Sequence, residues 1–282
     1  MAESSLPLTI APAAAAPAPT TQIVNGGDAS GRNIPHGSVS CPAGSRLTAG
    51  GAQADIHASD SPGASEWDVY LTELQPVYAG DGTTSLSARA AAKQAGTVDF
   101  STRAVCVTAG PSTQVVSNTA TSTATGRVDV SVSCPAGTHI VGGGAATRTD
   151  IFPPTDYLVS SYPAADLRSW NATAVTQTRS GTATAYAVCA QTGPATQIVS
   201  VTNNQLTGDN PGDFVEGWAT CPGGTHITGG GAQTMGGYLV EATPAGEPDH
   251  QGGPIGWRTQ FIIKVPNIAA LTTTAICESD TW

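Results

Sequence analysis

Between Val128 and Pro135 the chain reads "VDVSVSCP", with valine at every second position and polar residues between. That two-residue period is the mark of a β-strand with one face buried and one in water. "YLVSSYP" (Tyr157–Pro163), "WNATAVTQ" (from Trp170) and "TATAYAVCA" (to Ala190) read as strands too, and Gly or Pro interrupts the pattern about every ten residues. Only "SLSARAAAKQAG", Ser85 to Gly96, has helical composition. Its counterparts elsewhere in the chain are strand-like, so it is assigned as a strand as well.

Those counterparts exist because the pattern recurs three times, which has to be read before any single motif. "CPAGSRLTAGGA" from Cys41, "CPAGTHIVGGGA" from Cys134 and "CPGGTHITGGGA" from Cys221 are followed in order by "YLTELQP", "YLVSSYP" and "YLVEATP". Next come segments opening on Leu86, Trp170 and Trp257, then the closing phrases "RAVCV", "YAVCA" and "TAICE". Each unit opens on "TQIV" or "TQVV" at Thr21, Thr113 and Thr196, giving periods of about 92 and 83 residues. The expected organisation is an Ala/Pro-rich disordered tail at 1–20 and β repeats at 21–112, 113–195 and 196–282. The fold class is all-β, with about five or six short antiparallel strands per unit. The next opening phrase begins only seven positions after Cys106 and after Cys189. Joins that short favour one pseudo-threefold body over beads on a string.

Each unit carries two cysteines at matching places: Cys41 and Cys106, Cys134 and Cys189, Cys221 and Cys277. Six cysteines allow fifteen pairings, and repeat symmetry selects the three within units. Such bonds would each stabilise by roughly 3 to 4 kcal/mol through the unfolded chain. The competing metal reading lacks CxxC spacing and a fourth ligand in any unit, so no metal and no cofactor is expected. Disulfides imply an oxidising compartment and hence a secreted, extracellular protein. The first twenty residues lack the basic and long apolar regions of a signal peptide, and the expectation is that a native export signal has been removed. Within that tail, Leu6–Pro12 ("LPLTIAP") is the part able to add as a strand to another sheet.

A net charge of −10 and a pI near 4.7 leave no basic stripe for nucleic acid. No apolar run approaches the length of a membrane span. The glycine triplets could suggest a phosphate cradle, but that needs a following helix and usually a lysine. Close packing against the Trp170 and Trp257 rings is the expected role instead. His139 and His226 share one repeat position, held by Arg46 in the first unit, so they read as strand histidines. No GxSxG elbow or positioned nucleophile and base is visible, and the chain is not expected to be an enzyme.

The repeats differ most in their loops, which is where binding modules diversify. The first unit's long loop places Trp67 between Glu66 and Asp68, with His57 and Asp60 nearby, and the third unit offers Glu247, Asp249 and His250. An aromatic ring flanked by carboxylates suits a sugar, whose apolar face stacks while its hydroxyls donate to the acids. Trp67, Glu66, Asp68, Asp249 and His250 are therefore the candidate ligand-binding residues, the alternative being two solvated loops with Trp67 covering its own unit's core, and polysaccharide or another secreted protein is the expected partner. The rival expectation is a structural or adaptor subunit of an extracellular filament, coat or toxin particle.

The succession Cys-Pro-x-Gly, Gly-Gly-Gly-Ala, a strand-closing Pro, Trp and "YAVCA" resembles a β-rich module of secreted actinobacterial proteins, notably of Streptomyces. It also resembles modules that end bacterial collagen-like chains. The resemblance covers Thr21 to Trp282 and implies an extracellular location, disulfides within units and a non-enzymatic, lectin-like or interaction role. The first unit departs from it, with Ala49 for the first glycine and Leu86 for the Trp. A further likeness is to lectin-type or adaptor subunits of large secreted Streptomyces toxin particles, in which the tail would be the docking strand.

Overall fold

The computed structural model describes residues 20–32, 34–56, 69–79, 84–93, 97–108, 110–122, 126–148, 156–177, 180–191, 195–203, 211–246, 256–265 and 270–279. Each unit contributes six strands. The first holds β1 (Thr20–Arg32), β2 (His36–Ser40), β3 (Ser45–Ile56), β4 (Val69–Tyr78), β5 (Thr84–Ala92) and β6 (Thr97–Thr108). The second holds β7 (Thr113–Thr121), β8 (Gly126–Ser133), β9 (Thr138–Thr147), β10 (Tyr157–Pro163), β11 (Ser169–Thr176) and β12 (Thr182–Gln191). The third holds β13 (Thr196–Asn203), β14 (Phe214–Thr220), β15 (Thr225–Met235), β16 (Gly237–Ala245), β17 (Gly256–Ile263) and β18 (Ala270–Ser279). The alanine-rich segment from Ser85 is a strand, β5: its alternate side chains are wanted in the core, and that burial outweighs helical propensity.

No sheet belongs to one unit. The eighteen strands form three antiparallel six-stranded sheets, ordered β1-β6-β3-β16-β17-β14, β2-β5-β4-β9-β12-β7 and β13-β18-β15-β10-β11-β8. In every unit the first, third and sixth strands lie in one sheet and the second, fourth and fifth in another. Each unit is thus a wedge of two three-stranded half-sheets, and each half-sheet continues into a neighbouring unit, so that one buried cluster runs through all three. The units bury Leu47, Leu86 and Phe100, then Ile140, Leu158 and Trp170, then Ile227, Trp257 and Phe261, all at most 1% exposed. Fully burying side chains of this size contributes roughly 1.5–3 kcal/mol each.

The sheets meet at three corners, where β1 adjoins β2, β7 adjoins β8 and β13 adjoins β14. Each corner is stapled by the disulfide of its unit. Cys41–Cys106, Cys134–Cys189 and Cys221–Cys277 each span 5.7 Å between Cα atoms and join two different sheets. The pairing expected from repeat symmetry is the one observed. Near the pseudo-threefold axis the equivalent rings of Tyr70, Tyr157 and Tyr238 meet edge-on or tilted, with centroids 5.5 to 5.7 Å apart.

The glycine triplets make this closure sterically possible, and each glycine has its own neighbour. A Cβ on the first would strike another unit's backbone: Gly142 lies against the Thr48 carbonyl and Gly229 against that of Val141. A Cβ on the second would enter the unit's own core, at the Trp170 ring for Gly143, the Trp257 ring for Gly230 and Leu86 for Gly50. The third faces the strand that arrives from a neighbouring unit. Gly51, Gly144 and Gly231 lie against the carbonyls of Ala242, Leu74 and Ser161. At those three places the half-sheets join over short ladders: Ala52↔Ala242, Leu74↔Ala145 and Ser161↔Ala232. Packing against the tryptophans therefore accounts for the middle glycine alone.

Candidate functional site

Sheet register carries the repeat symmetry onto the faces turned away from the core, where alternate residues of the second, fourth and fifth strands of a unit line up in rows, some exposed and some covered, as Ser160 and Thr243 are. In the second unit one row across β8, β11 and β10 is Ser131, Asn171 and Tyr162, and the row beside it is Asp129, Thr173 and Ser160. In the first unit the corresponding rows are Ser38, Ser87 and Gln75, then His36, Arg89 and Glu73. In the third they are Trp218, Arg258 and Thr243, then Glu216, Gln260 and Glu241. One backbone frame thus carries three different sets of side chains.

All three frames contain the same irregularity. The fourth strand slips register by one residue between Leu71 and Glu73, Leu158 and Ser160, and Leu239 and Glu241. Such a bulge re-aims the side chains that follow it, which here are the residues of the outer rows.

The second unit's frame is concave. Asp129, Ser131, Tyr162, Asn171 and Thr173 line an open cleft of about 310 Å³. Asp129 is fixed from one side, with Arg127 Nε donating to its two oxygens at 2.9 and 3.0 Å and the Thr173 hydroxyl donating at 2.6 Å. Asn118 of β7 donates to the Ser131 carbonyl at 2.8 Å, so the rim strand is tied to the next sheet. The Tyr162 and Asn171 side chains are half-buried cross-strand neighbours with no hydrogen bond to any described residue. The row from Ser131 to Tyr162 spans three strands, about 10 Å at the usual inter-strand spacing. It offers a ring, an amide that both donates and accepts, and hydroxyls.

The first unit's frame is closed on itself. Ser87 donates to Glu73 at 2.6 Å, His36 bonds Ser87 at 3.1 Å and Arg89 pairs with Glu73 at 3.5 Å. In the third unit Arg258 pairs with Glu216 at 2.7 Å and with Glu241 at 3.5 Å. Glu241 is 1% exposed. Burial pushes its carboxyl up from the ordinary value, and Arg258, the Thr243 hydroxyl and Arg103 pull it back by less.

Near the axis His139 and His226 are half-buried and share Glu278, at 3.4 and 3.9 Å, with the Thr196 hydroxyl 3.2 Å from His139. Glu278 has no acidic counterpart in the other units, where Val107 and Ala190 follow the cysteine. Among the described residues no three His, Cys, Asp or Glu side chains are arranged to hold a metal ion. Nor is any helix among them long and apolar enough to cross a membrane.

The residues that the sequence nominated as ligand-binding, Trp67, Glu66, Asp68, Asp249 and His250, lie outside the described residues, as do His57, Asp60, Glu247 and Leu6–Pro12. The cleft on the second unit is not visible as such in the sequence because its residues stand on three separate strands and meet only through register. Its signal was available in the alternation of "VDVSVS", which turns Asp129 and Ser131 outward, and in the Tyr and Asn unique to that unit at their positions. No family model matches this chain, and no curated protein matches it.

Proposed function

We propose that this chain is a secreted, non-catalytic binding protein that recognises cell-surface or environmental polysaccharide. The observation that carries the reading is the cleft of Tyr162, Asn171, Asp129, Ser131 and Thr173. A half-buried tyrosine can stack on the apolar face of a sugar while the amide, hydroxyls and carboxylate exchange hydrogen bonds with its hydroxyls. The three disulfides are consistent with an oxidising, extracellular setting.

The test is a screen of labelled, oxidised protein on a broad glycan and bacterial-polysaccharide array, beside Tyr162→Ala and Trp67→Ala. Saturable signal on one sugar class, lost in Tyr162→Ala without loss of folding, is the expected result. Signal lost only in Trp67→Ala moves the site to the first unit's loop. A blank array from well-folded protein sinks the reading.

A second reading, an assembly subunit of an extracellular filament, coat or particle, draws on the sheet edges. β13 is an edge strand with Val201 45% exposed, which strand addition by Leu6–Pro12 of another copy would cover. It predicts concentration-dependent oligomers that vanish when residues 1–20 are deleted.

A further inference from the structure

On the third unit's face the place of Ser131 is taken by Trp218, which is 36% exposed. The indole does not stand away from the sheet. Its Nε1 lies 3.2 Å from where a Cβ of Gly256 would be, so a missing side chain on β17 lets the ring lie across the strand. Beside it Arg258 is the direct cross-strand neighbour of Trp218, and Glu216, two residues earlier on β14, points to the same face. Arg258 Nη2 bonds Glu216 Oε1 at 2.7 Å, and Gln260 reaches the same oxygen at 3.4 Å. Glu216 remains 57% exposed and Arg258 32%.

We infer that this face is a second saccharide site, so that one chain holds two polysaccharide strands at once. The ring supplies a flat apolar platform. The adjoining Arg258 and Glu216 hold each other in place and stay partly exposed, so the remaining guanidinium N–H groups can donate to sugar hydroxyls and Glu216 Oε2 can accept from them. The first unit's face provides no third site, because the two rows of its frame hold no aromatic residue to serve as a platform. The two sites lie on different sheets and belong to different units, so they face apart and cannot engage one short oligosaccharide together. The consequence is cross-linking: a monomer with two outward sites bridges polymer chains.

The inference rests on the polysaccharide-binding reading, and stoichiometry separates the two. The probes are neutral hexasaccharides (cello-, laminari-, malto- and mannohexaose) titrated by calorimetry and by tryptophan fluorescence, together with turbidity of the matching soluble polymers. For the sugar that binds, the expected result is two sites per chain, a change in tryptophan emission on binding, and precipitation of the polymer. Trp218→Ala should leave one site and abolish precipitation. Tyr162→Ala should leave the other site, still with the emission change. Glu216→Gln keeps the platform and should weaken the second site alone, which guards against a folding artefact in Trp218→Ala. One site per chain, unaffected by Trp218→Ala and abolished by Tyr162→Ala, overturns the inference and leaves the first site standing. No binding to any probe by folded protein overturns both.

Discussion

Two buried tryptophans in equivalent places differ in one hydrogen bond, and the difference can be measured. Trp170 Nε1 donates to Ser161 Oγ at 3.0 Å, whereas Trp257 Nε1 is buried without a partner among the described residues. The residue matching Ser161 is Ala242, equally buried, paired with Ala52 as Ser161 is with Ala232, and approached by the same third glycine. A serine at 242 should therefore adopt the rotamer of Ser161 and accept the idle N–H. An unsatisfied buried donor costs about 1–3 kcal/mol and a neutral hydrogen bond contributes about 1 kcal/mol net. After the desolvation of the added hydroxyl, Ala242→Ser should gain about 1 kcal/mol, which raises Tm by about 2–4 °C for a domain of this size class. Ser161→Ala should lose about 1–2 kcal/mol by the reverse argument. The assay is thermal and denaturant unfolding with disulfides intact, alongside exchange of the indole N–H protons. One indole signal should become more protected in Ala242→Ser and another less so in Ser161→Ala. If Ala242→Ser lowers Tm while Ser161→Ala leaves it unchanged, the equivalence of the two environments is refuted.

Further outcomes follow from the same geometry. Gly144→Ala drives a methyl into the Leu74 carbonyl at an inter-unit joint and should cost several kcal/mol, of the order of other backbone-incompatible core changes, read as loss of cooperative unfolding or of soluble protein. Glu241→Gln should stabilise at about pH 7.5 and do so less at about pH 4. The folded carboxyl titrates above its unfolded value, so the wild type gains stability as pH falls through that raised value, and the glutamine does not. A Tm difference independent of pH, or growing toward acid, contradicts the assignment. Replacing both Cys221 and Cys277 by serine should cost about 4 kcal/mol in the chain-entropy account and loosen the β14 corner first, visible as faster amide exchange there.

How much of this was legible beforehand depended on the range of the interaction. The strands, their buried faces and the disulfide pairing rest on short periods and on repetition, and "VDVSVSCP" is β8 with its valines inward. The division of each unit between two sheets was not legible. It depends on β3, β9 and β15 joining strands of other units, and no local pattern announces a partner so far along the chain. The glycine triplets were the trace of it, but from sequence they pointed only to the tryptophans. The outer-face frames were hidden for a related reason. Ser131, Asn171 and Tyr162 stand on three strands and become a row only through register, while Trp218 in "FVEGWAT" looks like any strand aromatic until Gly256 is placed beneath it.

The shared sheets also impose a counting rule. Each wedge has two inner strands whose free edges only another wedge can cover, and three wedges in a ring cover all six of those edges. Two in a row leave a pair open, and so would a fourth inserted without changing the angle between faces. The number of repeats is therefore locked by geometry, unlike in a solenoid, where units can be added at an end. The middle repeat, residues 113–195, carries every element of the joint: Gly142 to Gly144, Tyr157 and the strands on either side. Cut free of its neighbours, it should recover them from its own copies and sediment as a symmetric homotrimer, with a three-tyrosine axis made of one residue seen three times.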